Sequence, residues 1–227
     1  FIETIGIDPA HLLGKTRHEL FAPGEVVDPN GSDHLALLEQ HLPFKGFEYR
    51  MLLPSGAMPY VSISGKPLFD ASGNFTGYRG VGHDISQRKQ AEEQLRQAAT
   101  VFEHANEGIV ITDSSGCILD VNAAFTAITG YERHDVLGQN PRLLSSGRQG
   151  PEFYAAMWAA LADDGLWSGE LWNQRKDGTL YLEMLTITSV PDPQNKVSHF
   201  VGMFLDITTL KEQQRRLEHF AHYDALT

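Results

Sequence analysis

The sequence holds a single cysteine, Cys117, among 227 residues, so no intrachain disulfide can staple it. That usage suits a reducing cytoplasm. No apolar run approaches the roughly 20 residues that a bilayer-spanning helix needs, and no signal peptide opens the chain. Positive charge is also scarce: 18 Lys and Arg against 29 Asp and Glu leave a formal charge of −11. Nucleic acid, which asks for a basic face against its phosphates, is not an expected partner. No Walker loop, phosphate-binding G-x-G-x-x-G, Ser/His/Asp set or zinc-spaced Cys/His group occurs, so neither a catalytic residue nor a metal ligand is expected. What remains, 41% hydrophobic and 21% charged, is an ordinary globular composition with a length that suits one to two domains.

What is present is a repeat. FIETIGIDPAHLLG from Phe1 resembles FTAITGYERHDVLG from Phe125, with Gly6 opposite Gly130 and Gly14 opposite Gly138 at an offset of 124. Later, Gly56 stands opposite Gly178, Gly80 opposite Gly202 and Asp84 opposite Asp206, at an offset of 122. Two copies of one fold are therefore expected, at residues 1–87 and 104–208. A linker helix is expected over 88–103 and a second helix over 209–227.

The second copy reads element by element. EGIVITD and GCILDVN alternate around Ser115–Gly116 as a hairpin. NAAFTAITGY reads as a short helix closed by Gly130. PEFYAAMWAALADDG is a longer helix with Pro151 in its first turn and Gly165 at its end, its apolar Phe153, Met157, Trp158 and Leu161 at helical spacing. WSGELWNQR, LYLEMLTITSV and HFVGMFLDIT complete it as strands, the first two joined at Lys176-Asp177-Gly178. The expected architecture is α+β, a five-stranded antiparallel sheet with helices on one face and a pocket between. The first copy lacks the opening two strands.

VNAAFTAITGY, NQRKDG and FLDIT resemble the PAS superfamily of sensory domains, over the full pattern in the second copy and from the first short helix onward in the first. The terminal HYDALT is similar to the opening of GGDEF domains, Asp224, Leu226 and Thr227 matching an Asp-x-Leu-Thr segment. The resemblance implies the input region of a larger protein, itself non-enzymatic, with a diguanylate cyclase following and an EAL phosphodiesterase as an option beyond that. Both ends look cut, so a membrane anchor could lie upstream.

The stretch GQNPRLLSSGRQ resembles the reactive segment of light-sensing LOV domains. Asn140, Arg142 and Asn173 match, but Pro141 stands in place of the cysteine, Phe204 in place of a last-strand amide and Glu183 in place of a second Asn. Cysteinyl–flavin photochemistry is thereby excluded. ITGY, LGQN and the W-SG-L-N-RKDGTLY pattern resemble the FAD-binding redox PAS domains of nitrogen-fixation regulators. That likeness implies FAD with Trp167 and Tyr181 among its aromatic neighbours, Asn173 at its polar edge, Asn140 nearby, and Arg142 or Arg148 at the pyrophosphate. The plainer reading makes Trp167 and Tyr181 core aromatics, Asn173 a backbone partner near the turn, and Arg142 a surface residue. Haem is disfavoured: His34 and His41, seven apart, could serve as axial ligands, but surface or capping roles are the expectation. Cys117 is expected as a small buried residue on its strand.

The two helices carry interrupted seams: Ile85, Leu95 and Ala99 in the first, Ile207, Leu210, Gln214, Leu217 and Ala221 in the second. Asp84, Asp206, Ile207, Leu210 and Leu217 are the expected signal-transfer positions, in a homodimer joined through these helices. The alternatives are a helix that merely spaces domains, and a ligand-free dimerisation scaffold.

Overall fold

The computed structural model describes residues 31–53 and 56–224. The chain divides at Arg96–Gln97 into two compact units. The expectations for residues 1–30, including the start of the first copy, and for the last three residues of HYDALT lie outside the described residues.

The first unit contains α1 (Gly31–Glu39), β1 (Phe44–Arg50), β2 (Tyr60–Phe69) and β3 (Phe75–Asp84). The strands form an antiparallel sheet in the order β1-β2-β3. Asp70 closes the β2–β3 turn, its Oδ1 accepting from the backbone of Ser72 and Asn74 at 2.8 and 2.9 Å. Phe47, Tyr49, Met51 and Val61 make the core, with Phe44, Leu53 and Ile63 against it. His34 departs from the surface or capping role expected of it. Only 5% exposed, it lies flat on Phe47 with ring centroids 3.8 Å apart, used as an aromatic packing surface. His41 is exposed and stacks on Phe75 at 3.8 Å.

The helix α2 (Ser86–His104) contains that division, and the second unit goes on with β4 (Gly108–Asp113), β5 (Ile118–Val121), α3 (Ala123–Thr129) and α4 (Arg133–Val136). A 3-10 turn (Pro141–Leu144), α5 (Pro151–Asp164), β6 (Leu166–Gln174), β7 (Leu180–Pro191), β8 (Val197–Asp206) and α6 (Thr208–Asp224) complete it. The five strands are antiparallel in the order β5-β4-β8-β7-β6. This is the α+β architecture expected, and its punctuation is chemical. Asp113 Oδ1 accepts from the Ser115 and Cys117 amides while Gly116 adopts a φ of 84° between them. Gly130 and Gly165 end α3 and α5 in the left-handed region, at φ 76° and 70°, where a side chain would be strained. Cys117 sits in the turn just before β5 and not on the strand, half-buried.

The core of this unit is Val110, Ile118, Val121, Phe125, Val136, Leu144, Tyr181 and Phe204. Met157 and Leu161 bury the inner face of α5, whereas Trp158 is 49% exposed and meets Phe200 edge-on at 5.5 Å. None of the described helices is long and apolar enough to cross a membrane.

Candidate functional site: a buried polar edge and a helix exit

Strand alternation sets the inner wall. Leu171 and Asn173 of β6 are buried, facing Glu183 and Tyr181 of β7 across the ladder. From β8, Asp206 pairs with Glu183, and Phe204 with Leu185. Phe204 meets Phe125 in a T-shaped contact at 5.8 Å and fills the space over Gly108.

Within this apolar wall lies a polar group of three. Asn173, Tyr181 and Glu183 are 6%, 0% and 2% exposed. Asn173 Nδ2 donates to Glu183 Oε1 at 2.9 Å. Tyr181 Oη and Glu183 Oε2 are buried without a hydrogen-bond partner. The phenol stands near enough to favour the ionised carboxyl, yet closes no hydrogen bond with it. Burial pushes the Glu183 carboxyl from 4.5 up to about 7, with the charge of Asp206 acting the same way against Tyr181 and Asn173. Burial, then Glu183, pushes the Tyr181 phenol up as well. An unsatisfied buried polar atom costs about 1–3 kcal/mol. Two such atoms side by side are an exception among buried polar groups.

Among the residues expected around one ligand, the segment that carries Asn140, Arg142 and Arg148 reaches Asn173 through an isolated bridge at Ser145. Asn173 and Tyr181 sit together. Trp167 shares their strand face but lies six residues along β6, about 20 Å away in an extended strand, edge-on to Phe153 of α5 at 5.6 Å. Asn140 is engaged locally: its Oδ1 caps the 3-10 turn by accepting from the Arg142 amide at 3.0 Å, and its Nδ2 donates to the Gly116 carbonyl at 3.1 Å. The Arg142 side chain is exposed. Arg148 lies over the Trp172 ring at 4.4 Å.

The exits from both sheets are built alike. In the first unit the Ile85 amide donates to the Tyr60 carbonyl at 2.9 Å, the Tyr60 amide to Ser86 Oγ at 2.9 Å, and the Ser86 amide to Asp84 Oδ1 at 2.8 Å. In the second, Ile207 donates to Leu182 at 2.8 Å, Leu182 to Thr208 Oγ1 at 2.9 Å, and Thr208 to Asp206 Oδ1 at 2.9 Å. Lys89 pairs with Glu48 at 2.7 Å and Lys211 with Glu170 at 2.6 Å. Each of these partners is 122 residues from its counterpart.

The second exit has one addition. Arg175 donates to Asp206 Oδ2 and to the Ile128 carbonyl at the end of α3, and its guanidinium covers the Tyr181 ring at 4.5 Å. Burial alone would raise the Asp206 pKa, but the Thr208 hydroxyl and amide together with Arg175 hold it below the usual carboxylate range. An open cleft of about 640 Å³ between Ile128–Gly130 and Arg175–Asp177 exposes this knot. Of the expected seam residues, Ile207 is 6% exposed and belongs to the domain, while Leu210 and Leu217 stand 62% and 70% exposed on α6. Leu95 of α2 is 72% exposed.

Sequence reasoning passed over Asn122. It is 1% exposed; its Oδ1 accepts from the amides of Ile109 at 2.8 Å and Phe125 at 2.9 Å. Its Nδ2 donates to the carbonyls of Phe102 in α2, at 3.0 Å, and of Glu107, at 2.9 Å. The signal was available, an Asn directly before the apolar run of α3 in an N-cap position.

A chain of this kind has relatives. A nitrogen fixation regulatory protein of Klebsiella oxytoca is 41% identical over 118 residues, 52% of this chain and 24% of that one. A blue-light photoreceptor of Listeria monocytogenes is 34% identical over 114 residues, 49% of this chain and 45% of that one. A solved PAS domain from Colwellia psychrerythraea covers 51% of this chain and 98% of its own at 25% identity, with a TM-score of 0.49. The chain spans only about a quarter of the nitrogen fixation regulator's length. The PAS domain family model matches residues 1–87 and again residues 106–209, and with two matches over most of its length this chain belongs to the PAS domain family.

Proposed function

We propose that the chain is the sensory region of a signalling protein, in which the second PAS domain binds a flavin at the Asn173–Tyr181–Glu183 edge. The carrying observation is the pair of buried polar atoms left without partners on that edge. The resemblance of the W-SG-L-N-RKDGTLY pattern to FAD-binding redox PAS domains supports FAD. Asn173 supplies the donor to the ring's polar edge, and Phe125 and Phe204 keep water from it. The visible spectrum of the purified chain tests this, because a flavin gives the protein colour. In a flavin-loaded sample Asn173→Ala should lower occupancy or shift the absorbance band. An unchanged spectrum removes Asn173 from the site.

A second reading has an observation of its own. Phe125 and Phe204 close on each other in the middle of the wall, which suits a ligand-free dimerisation and interaction scaffold. A colourless protein with no co-purifying small molecule favours that reading.

In either case α6 is the proposed output, feeding a covalently linked diguanylate cyclase and so cyclic di-GMP signalling, on the strength of the match to the GGDEF opening at HYDALT. Exposed Leu210 and Leu217 are the proposed homodimer contacts. Leu217→Glu should then reduce the mass measured by light scattering from dimer to monomer. An unaltered mass counts against the seam.

A further inference from the structure

The inner wall holds two carboxyl groups on facing residues. Glu183 and Asp206 are cross-strand partners of β7 and β8, and side chains of such partners stand about 5 Å apart on one face of a sheet. Like charges placed so repel. The two groups have different surroundings. Asp206 is partly open, paired with Arg175, and accepts from the Thr208 amide and hydroxyl at the first residues of α6. Glu183 is sealed, bonded only to Asn173 through one oxygen.

We infer that Glu183 is a proton-responsive latch on the start of α6. Neutral, it leaves Asp206 to Arg175 and Thr208. Ionised, it sets a second carboxylate across from Asp206, and the repulsion between the two slackens the cap on α6.

The charged and titratable groups facing Glu183 are few. Tyr181 lies two residues away on β7, Asp206 faces from β8, and Asn173 from β6 is neutral. Arg175, from the β6–β7 turn, touches both Tyr181 and Asp206. The tyrosine is held protonated by burial and the aspartate ionised by its partners. Glu183 is therefore the member of the group that changes charge near neutrality. The device requires no bound ligand. It also gives a ligand a lever: anything that hydrogen-bonds the free Glu183 oxygen as a donor favours the ionised carboxyl and acts as a rise in pH does.

The test is nuclear magnetic resonance on the full chain, following the Glu183 carboxyl carbon and the Thr208 and Lys211 amides across a titration centred on about pH 7. Both amides should move with the midpoint of Glu183. Glu183→Gln should abolish that movement, which separates it from any histidine titration. Asp206→Asn should lower the Glu183 midpoint by removing the facing charge, and this arm stands even if the glutamine variant folds poorly. The inference is overturned if Glu183 titrates as a free glutamate at about 4.3. It is equally overturned if the Thr208 amide stays still through the Glu183 transition, or still moves in Glu183→Gln.

Discussion

Asn122→Ala should cost the second PAS domain about 2–4 kcal/mol of stability, from one lost helix cap, the buried Ile109 amide left unpaired and two part-buried carbonyls that lose a donor. The cap itself accounts for about 1 kcal/mol. The remainder comes from the Ile109 amide and the Phe102 and Glu107 carbonyls, which lose a partner that a methyl group cannot replace. A buried polar group stranded in this way costs about 1–3 kcal/mol. Asn122→Asp should be no milder. Its oxygens keep the Ile109 and Phe125 amides, but a carboxylate then faces two carbonyls where the amide donated. Chemical denaturation of both variants measures the loss, and amide exchange at Ile109 and Phe125 locates it. A drop below about 1 kcal/mol would mean that water or a neighbour replaces the asparagine, and Asn122 would not be the tie between the end of α2 and the sheet.

Glu183→Gln should stabilise the domain at alkaline pH and leave it unchanged in acid. The folded carboxyl titrates at about 7 against 4.5 for the free group. The folded state therefore holds a proton that the unfolded chain releases first. Stability from the neutral form is fully present below 4.5 and drains away as pH rises to about 7. The full loss is on the order of 3 kcal/mol. Glutamine keeps the shape of the neutral acid and has no charge to lose, so melting curves of variant and parent should coincide in acid and separate with rising pH. Asp206 works in the opposite sense. Its depressed pKa contributes stability above the unfolded value that is lost as pH falls through the folded one. Both proteins carry Asp206, so the difference between them reports Glu183. Parallel curves at every pH would show that Glu183 is not held neutral.

Much of the fold was legible because its signals are local. Gly116, Gly130, Gly165 and Gly178 punctuate the second copy where left-handed backbone is needed, with φ values from 70° to 87°. The offset of 122 residues, read from spaced glycines and an aspartate, reappears in the matched hydrogen bonds of the two exits. Side-chain partnerships were less legible. Tyr181 and Asn173, grouped in the sequence, are cross-strand neighbours. Trp167 has the right strand parity, but parity reports the face and not the position along it. Asn140 and Arg142 resembled ligand residues; in the structure one caps a turn and the other is exposed. His34 looks polar in sequence, and its burial depends on Phe47 lying beneath it, a tertiary fact. Glu183 stood out only as a departure from a pattern. Its importance arises from Asp206, 23 positions away in the chain and adjacent across the ladder.

The duplicated exit also bears on how such proteins are assembled and rebuilt. An aspartate, a hydroxyl, a backbone pair and a lysine–glutamate tie together make a standard coupling, met at residues 84–89 and again at 206–211. A chimera that joins the first sheet directly to the second helix at this coupling keeps each donor and acceptor in its place. Sensors can therefore be added or removed in series by genetic duplication or deletion, without a new joint having to evolve each time.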